Sequence, residues 1–139
     1  MNLDEKDEKI LKILEEKGRI SYTELSEKIG ISDVAAKKRV SKLSEAGIID
    51  KFTIDVNYSK IGKPLRSYLF IKSSPETSNK IKEEFENDKR VLRINKTIGE
   101  YDLILEAVCK DLDELKRLSE RDIGRLREVQ EIRTTIITN

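Results

Sequence analysis

The sequence predicts an α+β chain made of two small units, an amino-terminal winged helix-turn-helix domain and a carboxy-terminal ferredoxin-like βαββαβ domain. Three observations predict it. Within residues 21–47 two short amphipathic segments meet at Gly30, a residue suited to ending one helix and turning into the next. The second of these segments has an apolar arc and a largely cationic outer face. Beyond Pro64 the apolar residues alternate with a period of two or recur at helical spacing, in the order strand, helix, strand, strand, helix, strand.

Taken in order, Ile10, Ile13 and Leu14 give residues 4–17 a helical stripe, and Gly18 closes it. Asp4, Glu5, Asp7 and Glu8 crowd the first turns, where the helix dipole favours negative charge. Ile20 packs in a short link. Leu25 and Ile29, four apart, anchor a second helix; Gly30 ends it, and Ser32 restarts the chain as an N-cap. In the third helix Ala36, Val40 and Leu43 share one narrow arc. Val34, Lys38, Ser41 and Glu45 fall opposite, flanked by Lys37 and Lys42. A helix in that setting lies in the major groove of DNA. Gly47 stops it, and Ile48 and Ile49 return to the core. Phe52, Ile54, Val56 and Tyr58 alternate with polar residues, the period of a half-buried strand and a hinge between halves. Residues 59–64 combine Gly62 and Pro64 with two lysines and read as a linker. The expected division is therefore 1–50 for the helix-turn-helix, 51–65 for the hinge strand and linker, and 66–139 for the second domain.

In that second domain Leu69 and Ile71 lie on one face of a strand, with Tyr68 and Phe70 on the other. Ser74 and Pro75 open a helix carrying Ile81 and Phe85. Strands over 92–98 and 101–109 flank a turn at Gly99 and Glu100. Asp111 or Asp113 caps a helix with Leu112, Leu115, Leu118 and Leu126 along it, and residues 132–138 complete the sheet. Four strands and two helices leave one sheet face bare, so a partner subunit is expected to cover it.

Composition narrows the function. With 28 cationic against 27 anionic side chains in 139 residues, there is no overall basic signature, so DNA binding has to rest on local charge. Residues 32–42 supply it, with Lys37, Lys38, Arg39 and Lys42 against Asp33 alone; outside a helix-turn-helix such a run is simply a solvated face. Lys51, Lys60 and Lys63 follow against Asp55. Histidine is absent and Cys109 is the single cysteine, which removes disulfides, zinc clusters and an imidazole base. No catalytic residue, metal site or cofactor is expected, and Cys109 reads as a core residue. The chain has no long apolar run, so a cytoplasmic location away from membranes is expected. Abundant Lys, Glu and Ile with a single Gln suggest a thermophilic source.

Residues 3–57 resemble the DNA-binding half of the Lrp/AsnC, or feast/famine, transcription regulators, and Gly99-Glu100-Tyr101-Asp102 resembles the Gly-x-Tyr-Asp signature of their effector-binding half. The resemblance implies a homodimer, or a tetramer or octamer, that binds double-stranded DNA and responds to an amino acid. Candidate DNA contacts are Ser32, Asp33, Val34 and Ala35 near base edges, with Lys37, Lys38, Ser41 and Lys42 along the same helix and Lys38 and Lys42 meeting phosphates. Arg39 matches an arginine common in the family, and its angle suits a phosphate contact or an internal ion pair equally well. Asp33 and Val34 depart from the Pro or Thr frequent there, which alters the bases expected to be read. Gly99, Glu100, Tyr101 and Asp102 are implied as the effector loop, whose amides would receive a carboxylate and whose Asp102 an ammonium group, with Thr134 and Thr135 adding hydroxyls. As an alternative, a co-regulator would hetero-oligomerise through the ferredoxin-like domain with little DNA binding of its own. The sirohaem decarboxylases share the two-half architecture but depend on histidine, which this chain lacks.

Overall fold

Asp4 begins the first helix, α1 (Glu5–Glu16), through a reciprocal cap: its carboxylate accepts from the Asp7 amide at 2.8 Å while the Asp7 carboxylate accepts from the Asp4 amide at 3.2 Å. The computed structural model describes residues 1–139, and the chain divides into two compact units, Met1–Val56 and Asn57–Asn139.

In the first unit Ser21 caps α2 (Tyr22–Ile29) and Ser32 caps α3 (Asp33–Glu45), each hydroxyl accepting an amide three residues on at 3.1 Å. Such caps contribute about 1 kcal/mol each. Between the helices Gly30 sits at φ +83°, a left-handed conformation that costs a residue with a side chain about 1–2 kcal/mol. Ile10 from α1, Leu25 and Ile29 from α2, and Ala36, Val40 and Leu43 from α3 make the core, with Ile20, Ile48 and Ile49 packed at its edge. The expected stripe on α3 is the one that is buried.

The strand expected over Phe52, Ile54, Val56 and Tyr58 does not form. Residues 51–57 have no regular structure, Phe52 and Ile54 are exposed, and Tyr58 opens a short 3-10 turn, Tyr58–Ile61. Alternation gives a strand only where another strand offers a ladder, and none lies beside this segment in the chain.

The second unit is a four-stranded antiparallel sheet in the order β2-β3-β1-β4, formed by β1 (Leu65–Ser73), β2 (Val91–Lys96), β3 (Leu103–Cys109) and β4 (Val129–Ile137). With α4 (Pro75–Phe85) and α5 (Leu112–Lys116) this is the expected βαββαβ order. Leu69, Ile71, Leu103, Leu105 and Ala107 point to the helix side and meet Ile81, Phe85, Leu115, Leu118 and Ile123. On the other side Tyr68, Phe70 and Lys72 alternate with them and stay half-exposed, so one sheet face is open. Cys109 is fully buried, and burial pushes its thiol up to about 11, which keeps it protonated and inert near neutrality.

The single helix expected through Leu112, Leu115, Leu118 and Leu126 is broken up. Asp111 caps α5, which passes at Arg117 into a seven-residue π-helical stretch, Arg117–Ile123, closed by the Gly124 amide on the Ser119 carbonyl at 2.8 Å. Leu118 and Ile123 are five apart and would diverge by about 140° on an α-helix, whereas a wider π turn stacks them onto one face. Both are fully buried, while Leu112 is exposed and Leu126 packs from the turn beyond.

Candidate nucleic-acid interface and ligand loop

The wet side of α3 carries most of the residues that the sequence singles out. Ser32, Asp33, Val34, Lys37, Lys38, Ser41 and Lys42 are exposed, and Ala35 and Arg39 are half-buried. Val34 stands 78% exposed near the start of the helix, a large apolar side chain with nothing of its own chain to cover it. Lys37, Lys38 and Lys42 take part in none of the chain's ion pairs, so three cations project from the face opposite Ala36, Val40 and Leu43 without internal neutralisation. The N-cap role of Ser32 occupies its hydroxyl as an acceptor from Ala35.

Two charged residues of α3 are engaged inward. The Asp33 carboxylate accepts from the Ser26 hydroxyl at 2.6 Å and the Thr23 hydroxyl at 2.9 Å, and these bonds hold its pKa below the usual carboxylate range. Arg39 Nη1 donates to both Asp4 oxygens at 2.8 Å and to Asp7 Oδ1 at 3.0 Å. Of the two roles open to Arg39 from its angle, the ion pair is the one formed. The Arg39 guanidinium, followed by the Asp7 amide, lowers Asp4 to about 2. With a folded value depressed below the ordinary one, the contribution of Asp4 is present above about 4 and is lost as pH falls through about 2. Carboxyl titration followed by NMR is expected to place Asp4 near 2 in the native chain and to raise it toward its ordinary value in Arg39→Ala; an unshifted Asp4 in the native chain would contradict the pair.

In the second unit the turn expected at Gly99 and Glu100 is wider. Thr97 closes a loop over residues 97–102, its hydroxyl donating to the Tyr101 carbonyl at 2.6 Å and its amide to the Asp102 carbonyl at 3.0 Å. Gly99 takes φ +151° at its tip. Asp102 ties the loop to β1: its amide donates to the Ile71 carbonyl at 2.9 Å, and its carboxylate accepts from the Ser73 amide at 3.0 Å. The Tyr101 ring lies 5.6 Å from Phe70 and beneath Lys72, while its buried hydroxyl has no hydrogen-bond partner within the chain.

Thr134 and Thr135 are not brought to that loop within one chain. Thr134 pairs with Leu69 and so faces the helices, whereas Thr135 pairs with Tyr68 on the open face. Tyr68 precedes Lys72 by roughly 13 Å of strand at about 3.3 Å per residue. The β4 residue opposite Lys72 is Glu131, 3.6 Å from the Lys72 ammonium, with Glu100 at 4.0 Å on the loop side. Lys72 and Glu131 escape a reading of sequence because the pairing of β1 with β3 places Lys72 beside the loop and its pairing with β4 places Glu131 beside Lys72.

No cluster of three or more His, Cys, Asp or Glu side chains is placed to hold a metal, and no helix is long and apolar enough to cross a membrane.

Comparison with known proteins supplies the family. A family model described as winged helix-turn-helix DNA-binding matches residues 3–50, and one described as Lrp/AsnC ligand binding domain matches residues 67–139. The HTH-type transcriptional regulator LrpA of Pyrococcus horikoshii is 30% identical over 135 residues, covering 97% of this chain and 96% of that protein. An uncharacterised HTH-type transcriptional regulator of Pyrococcus abyssi is 36% identical over 115 residues, 83% of this chain and 78% of its own length. Among solved structures, E. coli AsnC has a TM-score of 0.84 at 26% identity, with 100% of this chain and 94% of that one covered. A transcriptional regulator from Neisseria meningitidis, solved as an L-Met complex, shares the fold with a TM-score of 0.90 at 22% identity over 99% of this chain and 91% of its own. Both halves match in the same order as they fold, and the chain belongs to the Lrp/AsnC family of HTH-type transcriptional regulators.

Proposed function

We propose that this chain is a sequence-specific DNA-binding regulator that acts in the cytoplasm as a homodimer or larger homo-oligomer and is modulated by an amino acid. It is a binding protein rather than an enzyme. One observation carries the DNA reading: the outer face of α3 presents Lys37, Lys38 and Lys42 free of ion pairs around an exposed Val34. The lysines supply salt-dependent attraction to phosphates, and the early residues Ser32, Val34 and Ala35 face the bases. Residues 1–50 read DNA, 51–65 link the halves, and 66–139 assemble subunits and receive the effector. The open sheet face gives assembly its surface. For the effector, support comes from the ligand-binding-domain match, from the exposed Gly99, Glu100 and Asp102, and from the unsatisfied Tyr101 hydroxyl that a polar ligand atom would satisfy. A related fold holds L-Met in the Neisseria protein, which supports the ligand class.

Selection of bound sequences from random duplex by the full-length protein tests this reading. Enrichment of one palindromic site is expected, with half-sites about one helical turn apart, as two-fold symmetry requires. Repeating the selection with Val34→Ala is expected to change discrimination at one position by roughly tenfold, the scale of a base-edge contact. Pooled amino acids are expected to change the affinity or the oligomeric state on the site. Uniform weak binding to all sequences would contradict the proposal and favour a co-regulator that needs another subunit.

A further inference from the structure

The apolar ridge that seats α3 is narrow: Ala36, Val40 and Leu43 alone are buried, and one of them is an alanine. A ridge of that width sets how deep the helix lies but resists rotation about its own axis weakly, because no other side chain of the helix is buried beside it. Rotation matters, since contacts of this kind tolerate roughly 10–20° of misorientation. At 100° per residue Asp33 falls about 60° to one side of Ala36 and Arg39 about 60° to the other. Each is tied to a different helix. Asp33 holds Thr23 and Ser26 of α2, and Arg39 holds Asp4 and Asp7 at the start of α1. The Arg39 partners are themselves locked, because the same two carboxylates close the reciprocal cap of α1.

From this geometry we infer that Asp33 and Arg39 are positioning residues for DNA reading, a pair of opposed ties that fix the rotation of α3 so that Val34 and Lys38 face the groove. The inference rests on the DNA-binding function proposed above. Neither side chain then needs to touch DNA. A turn of α3 in one direction stretches the Asp33 bonds, and a turn in the other stretches those of Arg39. The Asp7 carboxylate is nearly buried, at 8% exposure, so the Arg39 tie is anchored inside the unit rather than on mobile surface side chains.

The two roles predict different dependence on salt and sequence. A phosphate contact contributes to every duplex alike and adds about 0.9 to the slope of log affinity against log salt. A positioning tie contributes only where base edges are read. The test compares native chain, Arg39→Ala, Arg39→Lys, Asp33→Asn and Lys42→Ala on two duplexes, the site selected by the native protein and a random-sequence duplex, across a salt series well below the melting temperature of each variant. Arg39→Ala is expected to weaken the selected site tenfold or more and the random duplex threefold or less, with the salt slope unchanged. Arg39→Lys, which keeps a cationic donor group toward Asp4 and Asp7 without the planar fork, recovers part of the discrimination. Asp33→Asn, which keeps shape and an acceptor, gives the same selective loss on a smaller scale and serves if Arg39→Ala does not fold. Lys42→Ala weakens both duplexes and lowers the slope. Equal losses on both duplexes for Arg39→Ala with a slope reduced by about 0.9 per bound subunit would assign Arg39 to a phosphate and overturn the inference. Unchanged discrimination in both Arg39→Ala and Asp33→Asn would overturn it as well. Failure of the native chain to bind either duplex in a salt-sensitive way overturns the DNA-binding proposal itself, and is seen before any variant is compared.

Discussion

Replacing Lys37, Lys38 and Lys42 together by alanine is expected to lower affinity for duplex DNA about a hundredfold for each bound subunit near 0.15 M monovalent salt, and to flatten the salt slope by about 2.7 per bound subunit. These magnitudes follow from counterion release alone, with three phosphate contacts at about 0.9 each. The fold should survive, because all three side chains are exposed and take part in no internal ion pair. Titrations of a fluorescent duplex at several salt concentrations read both quantities. A triple variant that keeps the native slope would place the DNA contact somewhere other than the outer face of α3.

A second large effect is expected from the core beneath that face. Leu43 is fully buried among Ile10, Leu25, Ile29, Ala36 and Val40, and Leu43→Ala removes its side chain from a cluster with few members to fill the gap. Such truncations cost about 2–5 kcal/mol. A unit the size of Met1–Val56 holds only about 3–8 kcal/mol in total at the usual stability per residue. Most of its stability would go. Hydrogen exchange is expected to show amides of α1, α2 and α3 losing protection in Leu43→Ala while those of β1 and β3, which belong to the other core, retain theirs. Equal loss in both units would mean that the two cores do not stand separately, and protection unchanged in α1–α3 would mean that Leu43 is not a keystone.

The sequence made the surface of α3 legible because a helix repeats every 3.6 residues, so a list of apolar positions also defines the opposite face. Ala36, Val40 and Leu43 identify what is buried, and Val34, Lys38 and Ser41 identify what is not. The roles of Asp33 and Arg39 were not legible in the same way. Each depends on which residue of another helix lies beside it, and Asp4, the cap of α1, stands 35 positions before the arginine it binds. The βαββαβ order was readable from alternation and caps, and Ser74 and Asp111 stand where the helices start. Alternation misled at Phe52, Ile54 and Val56, since period two describes a strand's side chains but does not provide its hydrogen-bonding neighbour. The spacing of five between Leu118 and Ile123 held the signal for a π stretch, yet an α-helical template has no place for it. In the candidate ligand loop, Gly99 to Asp102 were evident as a turn. Their neighbours Lys72 and Glu131 became visible only through the pairing of β1 with β3 and with β4, and the β4 pairing turns Thr134 and Thr135 to opposite faces.

Backbone amide chemical shifts of the full-length protein titrated with duplex decide whether the exposed face of α3 enters DNA. The largest shifts are expected over residues 32–42, growing with DNA and collapsing when salt is raised. Shifts absent from α3, or equally large at high salt, would contradict it.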